Sequence, residues 1–144
     1  MSCEYEARRY ARFFETLTPQ TTKEAYASVF EPDIYFEDPF HQCKGLDETV
    51  AVFTRMFETL STPAFCVDEI ICRGAVAYIR WEFSYRDRPE GTAQFIEGVS
   101  RVQFTDTGRA SSHIDYWDAA HNIYERLPVL GWVLGGLRRR IGAV

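Results

Sequence analysis

Residues 75–86, with the sequence AVAYIRWEFSYR, alternate between two kinds of side chain and decide the fold. Every second position from Ala77 onward is apolar, whereas the positions between them include Arg80 and Glu82. Because successive side chains of a strand point to opposite faces of a sheet, this period of two predicts a strand with one buried face. The face predicted to lie under helices carries Ala77, Ile79, Trp81, Phe83 and Tyr85.

The same alternation runs from residue 64 to the end of the predicted sheet. Short segments that contain glycine separate the alternating runs, and such segments are typical of hairpin turns. The pattern therefore predicts an antiparallel meander. Its candidate strands are residues 64–73, 75–86, 92–105 and 108–118.

Apolar residues spaced by three and four precede the sheet and predict helices. Residues 3–17 form the first. A second begins near Thr21 or Thr22 and ends before Pro32, and a third follows Gly45. Helices followed by an antiparallel meander are typical of the α+β class, in which the helices cover one face of a curved sheet.

Residues 36–40, with the sequence FEDPF, place a carboxylate where a short apolar strand ends. Pro39 fixes its own backbone angle and restricts that of Asp38, so the carboxylate has little freedom. Between Phe36 and Phe40 it would be poorly solvated, which favours uptake of a proton. Asp38 is therefore a candidate general base, and the alternative is an aspartate that only begins a turn.

Composition and charge narrow the classes of function. The 144 residues suffice for one domain, and 46% hydrophobic content suffices for a core. A net charge of −5, with Arg138–Arg140 as the one basic run, argues against nucleic acid as a partner. No segment has the apolar length of a signal peptide core or a membrane span, so we predict a cytoplasmic protein.

The cysteine and histidine spacings match no metal or disulfide motif, so we predict no metal site. Cys43 follows Asp38 in its loop and is an alternative catalytic residue, but nothing in the sequence marks a reactive thiol there. A metal site would need residues that are distant in sequence and match no ligand motif. These residues are His41, His113, Asp115 and His121.

The last predicted strand mixes polar and apolar side chains on both faces. His113, Asp115 and Trp117 share one face. Period two alone does not say which face is buried, so His113 and Asp115 are either pocket residues or solvated edge residues. Residues two apart on a strand are not assured of hydrogen-bond distance, and no dyad is predicted. The opposite face carries Ile114, Tyr116 and Asp118.

Residues 119–144 form a tail in which apolar side chains recur on one helical face, with a helix predicted to start at Pro128. Two interpretations are open. The helix is either a lid over a cavity or a weak membrane-surface contact in which Arg138–Arg140 meet anionic lipid. The apolar face carries Leu130, Val133, Leu134, Leu137 and Ile141.

The order of these elements resembles the nuclear transport factor 2-like superfamily, which includes ketosteroid isomerases and SnoaL-like polyketide cyclases. The resemblance implies a cone-shaped α+β fold, with N-terminal helices packed into a curved antiparallel sheet around one apolar pocket. It divides the chain into a SnoaL-like cone at 1–118 and a C-terminal extension of the same domain at 119–144. The motifs that carry it are Arg9-Tyr10, Glu37–Phe40, Gly45 and Ile114–Asp118.

The resemblance also implies roles for individual residues. Asp38 matches the general base of the isomerases, and Tyr10 matches their oxyanion-hole tyrosine. Ser100 stands where those enzymes keep a protonated aspartic acid. His113 and Asp115 turn toward the cavity, where they would assist proton transfer. The implied substrate pocket is lined by Phe53, Ile79, Trp81, Phe83, Ser100 and Trp117.

Together these features predict a small-molecule pocket protein that acts as an isomerase, cyclase or dehydratase on an apolar carbonyl compound. That chemistry needs no cofactor. The competing hypothesis is a non-catalytic binding or interaction module in which Asp38 begins a turn. Aromatic and oppositely charged side chains on the outer face of the sheet suit a homodimer interface, with cross-strand salt bridges on a monomer as the alternative.

Overall fold

The computed structural model describes residues 2–123 and 130–142, and this part of the chain has the predicted α+β architecture. Helices come first and most of the sheet follows. The helices are α1 (Glu4–Glu15), α2 (Lys23–Val29), α3 (Leu46–Thr59), α4 (Ala119–Asn122) and α5 (Leu130–Gly142). The strands are β1 (Phe30–Glu37), β2 (Gln42–Lys44), β3 (Ser61–Arg73), β4 (Val76–Arg86), β5 (Gln94–Phe104) and β6 (Ala110–Tyr116).

The strands form one six-stranded sheet in the order β2-β1-β6-β5-β4-β3. Strands β3 to β6 are the predicted antiparallel meander. The alternation of β4 also has the predicted direction, because the five residues predicted to lie under the helices are all buried. Helix α1 packs on β3 and β4, and α3 packs on β1 and β3, so the core lies between these helices and the inner face of the sheet.

Strand β1 is longer than the short strand predicted from the sequence. It begins at Phe30, includes Pro32, and pairs in parallel with β6, whereas β2 is a short strand that the sequence analysis missed. The register shifts between Phe30 and Tyr35, and Pro32 lies inside this irregularity. A proline is tolerated there because a bulge does not need its missing N–H group.

Two local sequence signals set where α2 and α3 begin. Thr22 caps α2 by accepting a hydrogen bond from the backbone N–H of Ala25 at 3.2 Å, as its residue type favours. Gly45 precedes α3 with φ of +98°, a backbone angle that suits glycine. The turn at Gly45 orients α3, whose Phe53 lines both cavities described below.

The C-terminal tail is described only in part. Helix α5 begins at Leu130 and packs on α4, whereas Pro128, its predicted start, lies outside the described residues. The side chains of Leu130 and Leu134 lie outside them as well. Within 2–123 and 130–142, no helix has both the length and the apolar character needed to cross a membrane.

Candidate functional site

Five side chains from four elements form a continuous row of hydrogen bonds, which we call the polar row. The Tyr10 hydroxyl oxygen lies 2.7 Å from Nδ1 of His113, and Nε2 of His113 lies 2.7 Å from Oδ1 of Asp115. Ser100 donates from Oγ to the same Oδ1 at 2.5 Å. Trp81 in turn donates from Nε1 to Ser100 at 2.8 Å.

The chemistry of these groups fixes the direction of each hydrogen bond. The Trp81 indole can only donate, so Ser100 accepts from it and gives its own hydrogen to Asp115. An ionised Asp115 can only accept, so Nε2 of His113 carries a proton. Neutral His113 then accepts at Nδ1 from the Tyr10 hydroxyl. Burial raises the pKa of Tyr10 well above its ordinary value, and the negative charge of Asp115 acts in the same direction, so Tyr10 keeps its proton.

A direct hydrogen bond joins His113 and Asp115, a contact that the spacing of two residues on a strand does not assure and that was not predicted. Both side chains stand on the same face of β6 and are long enough to lean toward each other along the strand. Burial strengthens the hydrogen bond between them, since the His113 side chain is only 5% exposed and the Asp115 side chain only 16% exposed. The two therefore act as one hydrogen-bonded unit.

Asp115 has one carboxylate oxygen without a hydrogen-bond partner among the described residues. Both of its hydrogen bonds end on Oδ1, and no residue in the described part of the chain bonds to Oδ2. Asp115 also lines both of the cavities described next. One oxygen is thus held in place while the other remains able to accept a proton.

Two neighbouring cavities lie under the sheet. The larger has a volume of about 500 Å³, the smaller about 30 Å³, and Asp115 and Trp81 line both. Aromatic rings make up much of the wall of the larger cavity. Of the six predicted pocket residues, Phe53, Trp81, Phe83 and Trp117 line the larger cavity, whereas Phe53, Ile79, Trp81 and Ser100 line the smaller one.

Asp38 also lines the larger cavity, but its carboxylate is engaged locally. Oδ1 accepts from the backbone N–H of Phe40 at 2.8 Å and of His41 at 2.7 Å. Nδ1 of His41 lies 2.9 Å and 3.0 Å from the two carboxylate oxygens. No hydrogen bond among the described residues joins Asp38 to the polar row. These contacts are those of an aspartate that begins a turn, the alternative interpretation of the sequence. His41, the side-chain partner of Asp38, was not predicted.

The residues considered for metal binding or thiol chemistry lie apart. His41 pairs with Asp38, whereas His113 pairs with Asp115. Over residues 2–123 and 130–142, no group of three histidine, cysteine or acidic side chains is placed to hold a metal ion. Burial raises the pKa of Cys43, with further contributions from nearby carboxylates, which is the opposite of the shift that activates a thiol.

Gly98 makes room for the ring of Trp81. The two residues face each other across β4 and β5, and a Cβ atom at Gly98 would lie 2.4 Å from two carbons of the indole ring. We expect Gly98→Ala to displace Trp81 from Ser100 and to lower the free energy of unfolding by about 1–3 kcal/mol, measured by urea denaturation. Gly136→Ala is the matched control, because a Cβ there meets nothing within 4 Å. Equal stability of both variants would contradict the steric argument.

Comparisons with known proteins agree with this fold. The SnoaL-like domain profile matches residues 10–113. A provisionally named SnoaL-like polyketide cyclase from Jannaschia sp. CCS1 is 12% identical, with a TM-score of 0.70 over 82% of this chain and 88% of that one. A hypothetical protein with a ketosteroid isomerase-like fold from Catenulispora acidiphila DSM 44928, in complex with trimethylamine, is also 12% identical, with a TM-score of 0.70 over 85% and 93%.

TerC, co-crystallised with polyporic acid, is 15% identical and has a TM-score of 0.68, over 83% of this chain and 93% of that one. No curated protein matches the sequence. At these identities the solved structures establish the fold alone, whereas the profile covers well over half of the chain. The chain therefore belongs to the SnoaL-like domain family and has the nuclear transport factor 2-like fold.

Proposed function

We propose that the larger cavity binds an apolar carbonyl compound and that Asp115 removes a proton from the carbon next to the carbonyl. This is the first step of an isomerase, a cyclase or a dehydratase that works without a cofactor. One observation carries the proposal: Asp115 lines the cavity, its Oδ1 is held by two donors, and its Oδ2 has no hydrogen-bond partner among the described residues.

The polar row gives Asp115 the properties that a base requires. His113 and Ser100 fix its orientation, and Tyr10 fixes the proton of His113 on the nitrogen that faces Asp115. Aromatic rings line much of the cavity and the Asp115 side chain is only 16% exposed, which strengthens electrostatic interactions there. Tyr10 and His113 act through Asp115, so they are positioning residues in this proposal.

The chemical step is balanced within the substrate and Asp115. The C–H proton moves to Oδ2, and the electron pair of that bond moves into the carbonyl group as an enolate. In an isomerase, Asp115 returns the same proton to a different carbon. In a cyclase, the enolate carbon instead attacks a second carbonyl of the same molecule, and the alkoxide that forms takes the proton back from Asp115. In a dehydratase, the enolate expels a hydroxide from the next carbon, which leaves as water with the proton from Asp115.

The sequence hypothesis gives a different assignment, with Asp38 as the base and Tyr10 as the donor to the enolate oxygen. It stays a prediction, because Asp38 lines the same cavity. Ligands in related structures support a small-molecule site in general. Trimethylamine is bound in the Catenulispora protein, and TerC was crystallised with polyporic acid.

Proton exchange tests the proposal without knowledge of the natural substrate. The probe is 2-tetralone, a bicyclic ketone with acidic benzylic hydrogens next to its carbonyl, dissolved in D₂O. We expect the protein to accelerate loss of those proton signals in NMR spectra, and to do so saturably. Quenching of tryptophan fluorescence reports binding separately, because Trp81 and Trp117 line the cavity. Saturable quenching without exchange would instead support a non-catalytic binding module.

We also propose that two copies pair through the outer face of the sheet. This face exposes Tyr78 and Tyr116 at 43% and 56%, and Arg80 forms ion pairs with Asp68 and Glu97 beside them. We expect light scattering to give twice the mass of one chain, and the double variant Tyr78→Glu/Tyr116→Glu to give the mass of one. Tyr5→Glu, at an exposed tyrosine of α1, is the control. A wild-type protein with the mass of one chain would refute the pairing.

A further inference from the structure

Helix α5 turns an apolar face toward solvent. Val133, Leu137 and Ile141 recur every four residues, so they lie along one side of the helix. They are 50%, 52% and 65% exposed. Gly135, on another side, is buried, and α5 packs on α4. The helix thus contacts the rest of the protein through a different side and leaves its apolar stripe uncovered by the described residues.

Arginines border this stripe on both sides. At about 100° per residue, Arg138 and Arg140 fall on opposite sides of the line through Leu137. Both are exposed, as is Arg139. None of the 21 Asp and Glu residues of the chain lies in α5, although the whole chain has a net charge of −5. The helix is therefore a basic and apolar surface on an acidic protein.

We propose that α5 binds the surface of a membrane that contains anionic phospholipid. Its apolar stripe would enter the boundary between headgroups and acyl chains, and the flanking arginines would meet lipid phosphates at the same depth. Charge complementarity selects this partner, because a second copy of the chain docked on the same stripe would bring its own two flanking arginines against Arg138 and Arg140. A position near a helix C-terminus stabilises arginines by itself, but it does not explain three exposed apolar residues between them.

The lid interpretation of the tail fits the described residues less well. The larger cavity is bordered by Trp117 and Ile123, which precede α5, and no described residue of α5 lines it. The proposal therefore concerns a surface separate from the polar row and does not depend on its chemistry.

Vesicle co-sedimentation tests the proposal on the full chain. We expect binding to vesicles of phosphatidylglycerol and phosphatidylcholine, little binding to phosphatidylcholine alone, and loss of binding as salt screens the charges. The double variant Arg138→Gln/Arg140→Gln should bind about 25-fold more weakly, which corresponds to about 1 kcal/mol for each arginine. Leu137→Glu/Ile141→Glu should abolish binding.

Matched variants separate this surface from general charge and exposure. Arg8→Gln/Arg12→Gln removes the same charge from exposed positions of α1 and should leave binding unchanged. Trp132→Ala should also bind, because Trp132 lies about 140° around the helix from Leu137. Equal melting temperatures would show that the variants are folded.

Three results would overturn the proposal. The first is equal binding, or none, to the two kinds of vesicle. The second is an equal loss of binding in the α1 and α5 arginine variants. The third is a wild-type protein that does not bind vesicles but self-associates, with that self-association lost in Leu137→Glu. This result would identify a second copy of the chain as the partner of the α5 stripe.

Discussion

The variant Asp115→Asn is expected to exchange the 2-tetralone protons about 10²–10⁴-fold more slowly than the wild-type protein, the range that a general base contributes. Asparagine keeps the shape of the side chain, and its amide oxygen can still accept from His113 and Ser100. Its NH₂ group then occupies the position of Oδ2, where it cannot take a proton. Fluorescence quenching by the ketone should persist, because the aromatic walls are unchanged.

Asp38→Asn is the matched control, since it changes an aspartate that lines the same cavity in the same way. We expect this variant to exchange the 2-tetralone protons at almost the wild-type rate. An asparagine at this position still accepts hydrogen bonds from the backbone N–H groups of Phe40 and His41, so the turn is kept. Loss of exchange in Asp38→Asn alone would place the base there, as the resemblance to the isomerases implies. If both variants bound and exchanged the ketone like the wild type, neither carboxylate would be the base.

The variant His113→Leu is expected to lower the free energy of unfolding by about 2–4 kcal/mol, measured by urea denaturation. Leucine occupies a similar volume, so the loss comes from hydrogen bonds rather than from a cavity. It leaves the buried Tyr10 hydroxyl without its acceptor and Asp115 without one of its two donors. A buried polar group that loses its partner carries its full desolvation cost.

Tyr10→Phe separates the two bonds of His113. It removes only the outer bond, so we expect a smaller loss of about 1–2 kcal/mol. The double variant should lose less than the sum of the two single variants, because the Tyr10 hydroxyl has no partner once His113 is absent. Strict additivity would show that the polar row does not act as a connected network.

The sequence predicted the fold best where periodicity is long and uninterrupted. Strand β4 alternates over its whole length, so its buried face could be named in advance. Strand β2 has only three residues, too few for a period to appear. Strand β1 contains Pro32, which ordinarily argues against a paired strand, and only the irregular register reveals how it is accommodated.

The candidate site was less predictable, because its contacts join distant parts of the chain. Tyr10 and His113 are 103 residues apart, and Trp81 and Ser100 meet across neighbouring strands. Periodicity placed His113 and Asp115 on one face but did not say which face was buried. Their assignment to the cavity came from the resemblance, and the hydrogen bond between them is visible only in the folded structure. The partner of Asp38 was three residues away and was missed because the turn conformation decides it.

The parallel pairing of β1 with β6 also constrains how the chain acquires its structure. Phe36 lies opposite His113 in that pairing, and their rings stack with centroids 5.0 Å apart. Strand β6 lies between β1 and β5, so neither neighbour completes its hydrogen bonds until residues 110–116 have left the ribosome. The contacts that close the sheet have long sequence separation, which slows folding. Assembly of the sheet, and of the polar row with it, consequently waits until residues 110–116 have been synthesised.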